Sequence, residues 1–91
     1  MIVAKHILIS GRVQGVWFRA TTKEKAEEYN VRGWVRNTSD GKVEAVFVGE
    51  EKDVERLIQW CYHGPPLAEV EKVEVKPYTA REDFKDFTIK Y

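Results

Sequence analysis

The hydrophobic and polar positions of this 91-residue chain follow two different periods along its length. Apolar residues that alternate with polar ones predict strands, and apolar residues three or four apart predict helices. The predicted elements are strands at 3–10, 31–38, 42–48 and 69–78, a helix at 18–30, a helix between Gly49 and Gly64, a polar loop at 79–83, and a short last strand formed by Phe84, Phe87, Ile89 and Tyr91. The order is β-α-β-β-α-β with one short extra strand.

This element order predicts an α+β fold of the ferredoxin-like, split βαβ type. Right-handed crossovers put both helices on one face of an antiparallel sheet. In that arrangement the first two strands run in the same direction, and one other strand lies between them. Their carboxyl ends are then about 10 Å apart on one edge of the sheet. Segment 11–19 follows the first strand and Asn37 ends the second, so we expect them to meet.

The turn between the second and third strands decides which side chains share a face of the sheet. Asp-Gly at residues 40–41 is a strong signal for a two-residue hairpin loop. Such a loop pairs Val35 with Val46 and Trp34 with Phe47. The valines then form the face that the helices cover, and both aromatic side chains lie on the opposite face.

Residues 11–19, with the sequence GRVQGVWFR, have the composition of an anion-binding loop. Two glycines let the backbone approach a ligand closely, and the helix that follows offers N–H groups without intrahelical partners. The segment contains two arginines and no Asp, Glu, His, Cys, Ser or Thr. It therefore has no nucleophile, proton carrier or metal ligand of its own.

The start of the first helix is open between two readings. The apolar spacing begins the helix at Phe18, whereas Thr-Thr-Lys-Glu at 21–24 fits a capping box and would leave Arg19 just before the helix. In both readings Arg19 is at the positive end of the helix, where a cation is disfavoured by roughly 0.3–1 kcal/mol. A bound anion between the two would remove this conflict.

The composition is that of one small globular domain spanning residues 1–91, which we expect to be monomeric. The 15 basic and 15 acidic residues cancel, which argues against a nucleic acid or a membrane as partner. The single cysteine cannot form an intramolecular disulfide, and the first residues show no signal-peptide pattern. We therefore expect a cytoplasmic protein.

Other kinds of site are disfavoured by residue spacing. The two histidines and Cys61 are too scattered to form a metal site. We expect His6 to be packed or hydrogen-bonded, Cys61 to serve packing, and His63 to complement the dipole of the second helix. No Gly-Lys-Ser/Thr ending and no Gly-x-Gly-x-x-Gly motif is present. Arg12 and Arg36 are interpreted as surface charges, and Trp17 as a wall or lid of the site rather than a catalytic group.

Three motifs together resemble the acylphosphatase family: GRVQGVWFR at 11–19, GWVRNTSDG at 33–41 and Gly-Pro-Pro at 64–66. The resemblance covers essentially the whole chain, up to the closing FTIKY at 87–91. It implies a compact ferredoxin-like enzyme that hydrolyses acyl phosphates to a carboxylate and inorganic phosphate. It also implies that the enzyme needs no metal and no cofactor.

The same resemblance assigns roles to individual residues. Arg19 would bind the phosphoryl group, and Asn37 would orient the attacking water. The remaining phosphate ligands would be backbone N–H groups, those of Gln14, Gly15, Val16, Trp17 and Phe18.

Two rival interpretations belong to other classes of function. RNA-recognition domains share this element order and carry aromatic residues on the open sheet face, where Trp34 and Phe47 could stack on bases. The zero net charge speaks against that reading. The second rival is a transfer or regulatory module within a larger enzyme, which the absence of a linker before the final Tyr91 disfavours.

Overall fold

The computed structural model describes residues 1–79 and 84–90. The elements are β1 (Ile2–Arg12), α1 (Phe18–Glu28), β2 (Arg32–Asn37), β3 (Val43–Glu50), α2 (Glu51–Cys61), β4 (Glu69–Pro77) and β5 (Phe87–Ile89). The predicted order is confirmed, and α1 ends slightly earlier than predicted. Residues 80–83 of the predicted loop, and Tyr91 of the predicted last strand, lie outside the described residues.

The strands form one sheet in the order β4-β1-β3-β2-β5. Both β1 and β2 pair antiparallel with β3, so they run in the same direction with β3 between them. Helix α1 packs on β2 and β5, α2 packs on β1 and β3, and the helices also contact each other. The ferredoxin-like α+β fold is confirmed, with both helices on one face.

The expectation of a wholly antiparallel sheet is wrong at one edge, where β5 pairs in parallel with β2. Strand β5 lies at the edge opposite β4, and it runs against β4 and in the direction of β2. The sheet is therefore mixed. Strand β4 is an edge strand rich in charged residues, as predicted, and such residues protect an edge against pairing with other molecules.

The predicted hairpin register is wrong by one residue. The observed pairs are Val35 with Ala45 and Trp34 with Val46, because the loop has three residues, 39–41, rather than two. The N–H of Thr38 donates to the carbonyl of Lys42 across this loop, and Gly41 has φ 87, a left-handed conformation typical of the last residue of a three-residue hairpin loop. Relative to the prediction, this slip moves the side chains of β3, including Val46 and Phe47, to the other face, whereas those of β2 keep their predicted face.

The slip changes the composition of the core. Phe47 is fully buried and belongs to the cluster between the sheet and the helices, where its ring centroid lies 6.0 Å from that of Phe87. Two further aromatic rings pack between the helices, with 5.3 Å between the centroids of Phe18 and Trp60. The buried stripe of α2 is the predicted one, formed by Val54, Leu57, Ile58 and Cys61.

The open face of the sheet carries Trp34 beneath two cations rather than an aromatic pair. Trp34 is 8% exposed. The Nζ atom of Lys90 lies 4.5 Å from its ring centroid, and the Cζ atom of Arg36 lies 6.0 Å from it. Since Phe47 is on the helix-covered face, the two aromatic side chains of the RNA-binding hypothesis do not share a surface. The aromatic platform on which that hypothesis depended is therefore not formed by these two residues.

Ionic hydrogen bonds join neighbouring strands on the same open face. The Nε2 atom of His6 lies 2.7 Å from a carboxylate oxygen of Glu44, and Nε of Arg36 donates to the other oxygen at 2.6 Å. Burial acts to raise the pKa of Glu44, but these hydrogen bonds outweigh it and hold the pKa below its ordinary value. His6 is thus a hydrogen-bonded residue, as expected, and Arg36 is an ion-paired one.

Neither of the helices, each 11 residues long, approaches the length needed to cross a bilayer, and the same holds throughout the described part of the chain.

Candidate functional site

A pocket of about 350 Å³ opens where β1 and β2 end. This is the edge at which the sequence predicts that the glycine-containing segment and Asn37 meet. The lining residues come from the β1–α1 connection, the first turn of α1 and the ends of β2 and β5. They are Val13, Gly15, Trp17, Phe18, Arg19, Ala20, Asn37 and Ile89.

The backbone of the β1–α1 connection makes a left-handed turn beside this pocket, and Gly15 and Trp17 of the turn line it. Gly15 has φ 74 and Trp17 has φ 67, whereas Val16 between them is not in the left-handed region. Left-handed residues in such a turn are typical of anion-binding nests, in which successive N–H groups point toward one concavity. Within residues 1–79 and 84–90, no backbone acceptor pairs with the N–H groups of these three residues.

The first turn of α1 places a cation beside this nest. The helix begins at Phe18, so Arg19 lies in its first turn, and the capping-box reading is not realised. The hydroxyl of Thr21 instead donates back to the carbonyl of Trp17 at 2.8 Å. Because the first turn has no acidic residue, both the helix terminus and Arg19 present positive charge to the pocket.

The second predicted side chain reaches the pocket from the end of β2. Asn37 is the last residue of that strand and pairs with Val43 of β3. It shares the helix-covered face with Val35, two residues earlier, as the sequence predicts. Only β3 separates β2 from β1, so the expected meeting of Asn37 with the β1–α1 connection is confirmed.

Two of the predicted cradle residues direct their side chains elsewhere. Val16 is buried in the core, 7% exposed. The side-chain amide of Gln14 donates to the carbonyls of Thr38 and Lys42, at 2.8 and 2.9 Å. Gln14 therefore ties the β1–α1 connection to the hairpin that follows Asn37. Sequence reasoning treated it only as a backbone ligand, although it is the one uncharged amide side chain in the segment.

One apolar wall residue was also missed. Ile89 enters the pocket from β5, where it pairs with Val35 and is held by a 2.9 Å bond from the N–H of Lys90 to the Val35 carbonyl. Its place depends on the parallel pairing of β5, which the sequence pattern did not reveal. Alternation of apolar residues in the last strand was the available signal, and it did not specify the strand's neighbour.

The electrostatics of the pocket are simple. Among its lining residues in the described part of the chain, Arg19 alone carries a charge. None of them is an acid, a histidine, a cysteine or a hydroxyl-bearing residue. Over residues 1–79 and 84–90, no three His, Cys, Asp or Glu side chains come together as they would to hold a metal ion. Such a pocket can bind and polarise an anion, and Asn37 can position a neutral molecule beside it.

Comparison with known proteins bears on the identity of this site. A family model described as Acylphosphatase matches residues 5–89. The chain belongs to the acylphosphatase family. Both motifs that line the pocket fall within the matched range, so the resemblance recognised in the sequence is confirmed.

Individual acylphosphatases are similar over most of their length. One from Chloroflexus aurantiacus is 61% identical over 74 residues, which is 81% of this chain and 80% of that protein. The solved acylphosphatase of Coxiella burnetii has a TM-score of 0.93 and 40% identity, covering 98% of this chain and 93% of its own. That of Bacillus subtilis has a TM-score of 0.93 and 32% identity over the full length of both chains.

Replacing Gly15 by alanine should weaken the binding of inorganic phosphate at least about tenfold, which corresponds to about 1.4 kcal/mol. A side chain at φ 74 is strained by roughly 1–2 kcal/mol, and the loop relieves this strain by moving its N–H groups. The measurement is a phosphate titration followed by the rise in Tm. Gly41→Ala is the matched control, since it introduces the same strain in open space outside the pocket. Equal phosphate affinity in the two variants would contradict the nest.

Replacing Gln14 by leucine should lower the free energy of unfolding by about 1–3 kcal/mol, because two side-chain hydrogen bonds worth about 0.5–1.5 kcal/mol each are lost. Urea unfolding followed by circular dichroism measures the change. Gln59→Leu, on the exposed side of α2, is the control and should change stability by no more than about 0.5 kcal/mol. If both substitutions have the same effect, Gln14 does not join the two segments energetically.

Proposed function

We propose that this acylphosphatase hydrolyses the carboxyl–phosphate bond of acyl phosphates, giving a carboxylate and inorganic phosphate. The observation that carries the proposal is a pocket in which Arg19 is the one charged lining residue of the described chain, beside a helix N-terminus and the amide of Asn37. Membership of the acylphosphatase family supports the same reaction.

In the proposed binding step, the phosphoryl group lies over the nest formed by residues 15–17. The planar guanidinium of Arg19 holds two of its oxygens, and backbone N–H groups hold the others. Phosphoryl transfer spreads negative charge over the equatorial oxygens, and donors already in place stabilise that charge without reorganisation. The same groups therefore bind substrate and accelerate the reaction.

In the proposed chemical step, the side-chain carbonyl of Asn37 accepts a hydrogen bond from a water and fixes its in-line approach. The water oxygen forms a bond to phosphorus as the bond from phosphorus to the carboxyl oxygen breaks. The electron pair of the broken bond leaves with the carboxylate. The proton lost by the water goes to a phosphate oxygen, because no lining residue of the described chain is a base.

The proposed substrate class follows from the leaving group. A carboxylate has an intrinsic pKa near ~4, so it departs at neutral pH without being protonated. An ordinary alkyl phosphate would release an alkoxide and would require a general acid. The pocket's composition therefore suits an already activated phosphate, and we propose that Arg19 and the helix terminus supply the positive charge that a metal provides in other phosphoryl-transfer sites.

We also propose the setting in which this reaction takes place. Residues 1–91 form a single domain that acts as a cytoplasmic monomer on a small-molecule acyl phosphate. The zero net charge and the separation of Trp34 from Phe47 support a site for a small anion over one for nucleic acid. No membrane partner is part of the proposal.

Substitution of the two pocket side chains should separate binding from turnover. With benzoyl phosphate and a chelator present, the unaltered protein should be active. Arg19→Ala should lose at least about 100-fold in kcat/KM, through both a lower kcat and a higher KM, because a preorganised donor to the phosphoryl group is removed. Asn37→Ala should lose about 100-fold, mainly in kcat, since misplacing the water slows the chemistry more than it weakens binding.

Arg12→Ala is the control for charge, because Arg12 is exposed and does not line the pocket. It should retain kcat/KM within about threefold, given the small effects expected of surface substitutions. Abolition of turnover by the chelator would refute metal independence. If Asn37→Ala keeps full kcat, Asn37 does not orient the water.

The route of the water's proton predicts the pH dependence. Because a phosphate oxygen accepts this proton, kcat should change less than about threefold between roughly pH 6 and 8. The measurement is kcat at saturating benzoyl phosphate across that range at constant ionic strength. A fall in kcat below pH 7 that titrates as a single enzyme group would reveal a side-chain base and contradict this step.

A further inference from the structure

Trp17 combines two unfavourable features at one position of the pocket. Its side chain is 75% exposed, whereas that of Trp34 is 8% exposed. Its backbone has φ 67, in the left-handed region that disfavours bulky residues. The nest requires that backbone conformation but not the indole, since glycine would adopt the same φ without placing an apolar ring in water. The indole therefore calls for a separate explanation.

The pocket lining consists of two chemically different sets of residues. Gly15, Arg19 and Asn37 supply its polar and charged groups. Apolar side chains form the rest of the lining, namely Val13, Trp17, Phe18, Ala20 and Ile89. An acyl phosphate has the same division, because its phosphoryl end is charged and its acyl end is carbon.

The volume of the pocket exceeds what a phosphoryl group needs. Inorganic phosphate has five heavy atoms and takes at most about 150 Å³ if each atom occupies no more than the roughly 30 Å³ share of a water molecule. The pocket offers about 350 Å³. Space for a second group therefore remains, and the side chains available to line it are apolar.

We propose that the indole of Trp17 is the contact surface for the acyl group, and that the site prefers aromatic acyl phosphates to small aliphatic ones. This proposal rests on the proposed function and names the substrate class of the same site. An aromatic acyl group can pack offset or edge-to-face against the indole, whereas the methyl group of acetyl phosphate offers little surface for contact. The exposed ring at the opening of the pocket becomes covered when such a substrate binds.

The test compares benzoyl phosphate with acetyl phosphate. For each variant, kcat/KM for benzoyl phosphate is divided by kcat/KM for acetyl phosphate. This ratio is then divided by the same ratio for the unaltered protein, which cancels the different intrinsic reactivities of the two anhydrides. Trp17→Ala should lower this ratio about tenfold, mainly through a higher KM for benzoyl phosphate, and Trp17→Phe should restore it to within about threefold of the unaltered value. Circular dichroism and Tm verify that the variants are folded.

Ile2→Ala is the matched control. Ile2 is also an exposed apolar residue, 56% exposed, but it lies at the start of β1, the opposite end of the strand from the pocket. Its substitution should leave the ratio unchanged. An equal loss for both substrates in Trp17→Ala, or no loss for either, would overturn the role of the indole while leaving acyl phosphate hydrolysis intact. If the unaltered protein hydrolyses neither substrate, the proposed function fails and this inference fails with it.

Discussion

The pairing of β3 with both β1 and β2 is the constraint on which the rest of this molecule depends. Its residues Val43, Ala45, Val46 and Phe47 are all fully buried, as expected of a strand at the centre of the sheet. By pairing antiparallel with two neighbours, β3 makes them run in the same direction and end on the same edge. The pocket is therefore a product of strand pairing. Arg19 follows β1 in the chain and Asn37 ends β2, and the pairing of both strands with β3 brings the two residues together.

In the proposed mechanism, the chemistry of the pocket relies on position and charge rather than on reactive side chains. A helix terminus, a left-handed turn and one guanidinium concentrate positive potential in a small volume, and one amide lies across from them. Activation of the bond to be broken is then a property of the substrate. This division explains how a domain of 91 residues can sustain a phosphoryl-transfer site with few specialised groups.

Much of the fold and the polar part of the site could be predicted from the sequence. The alternation of strands and helices reports local burial, and strand direction then brings Asn37 to the segment ending at Arg19 without any knowledge of side-chain contacts. The hairpin register could not be predicted as reliably, because a two-residue and a three-residue loop both suit Asp-Gly and differ by one residue in pairing. The three-residue loop is the one whose register places Phe47 in the core.

The contributions of Gln14 and Ile89 were missed for a different reason. Each depends on a partner far away in the chain, either the carbonyls of the hairpin or the edge of β2. Local patterns contain no information about such a partner. The parallel pairing of β5 is of the same kind, since a short apolar alternation fits either edge of the sheet.

The left-handed turn at Gly15 and Trp17 has a consequence for how the site tolerates genetic change. The N–H groups that it presents are carried by every residue except proline, so side-chain replacement cannot delete them as it can delete a guanidinium. What mutation can alter is the conformation that directs them. Trp17, whose side chain is exposed, is therefore the position of this turn at which side-chain chemistry can vary while the backbone torsions are preserved. In the proposed site, substrate range would change there while the N–H groups keep their direction.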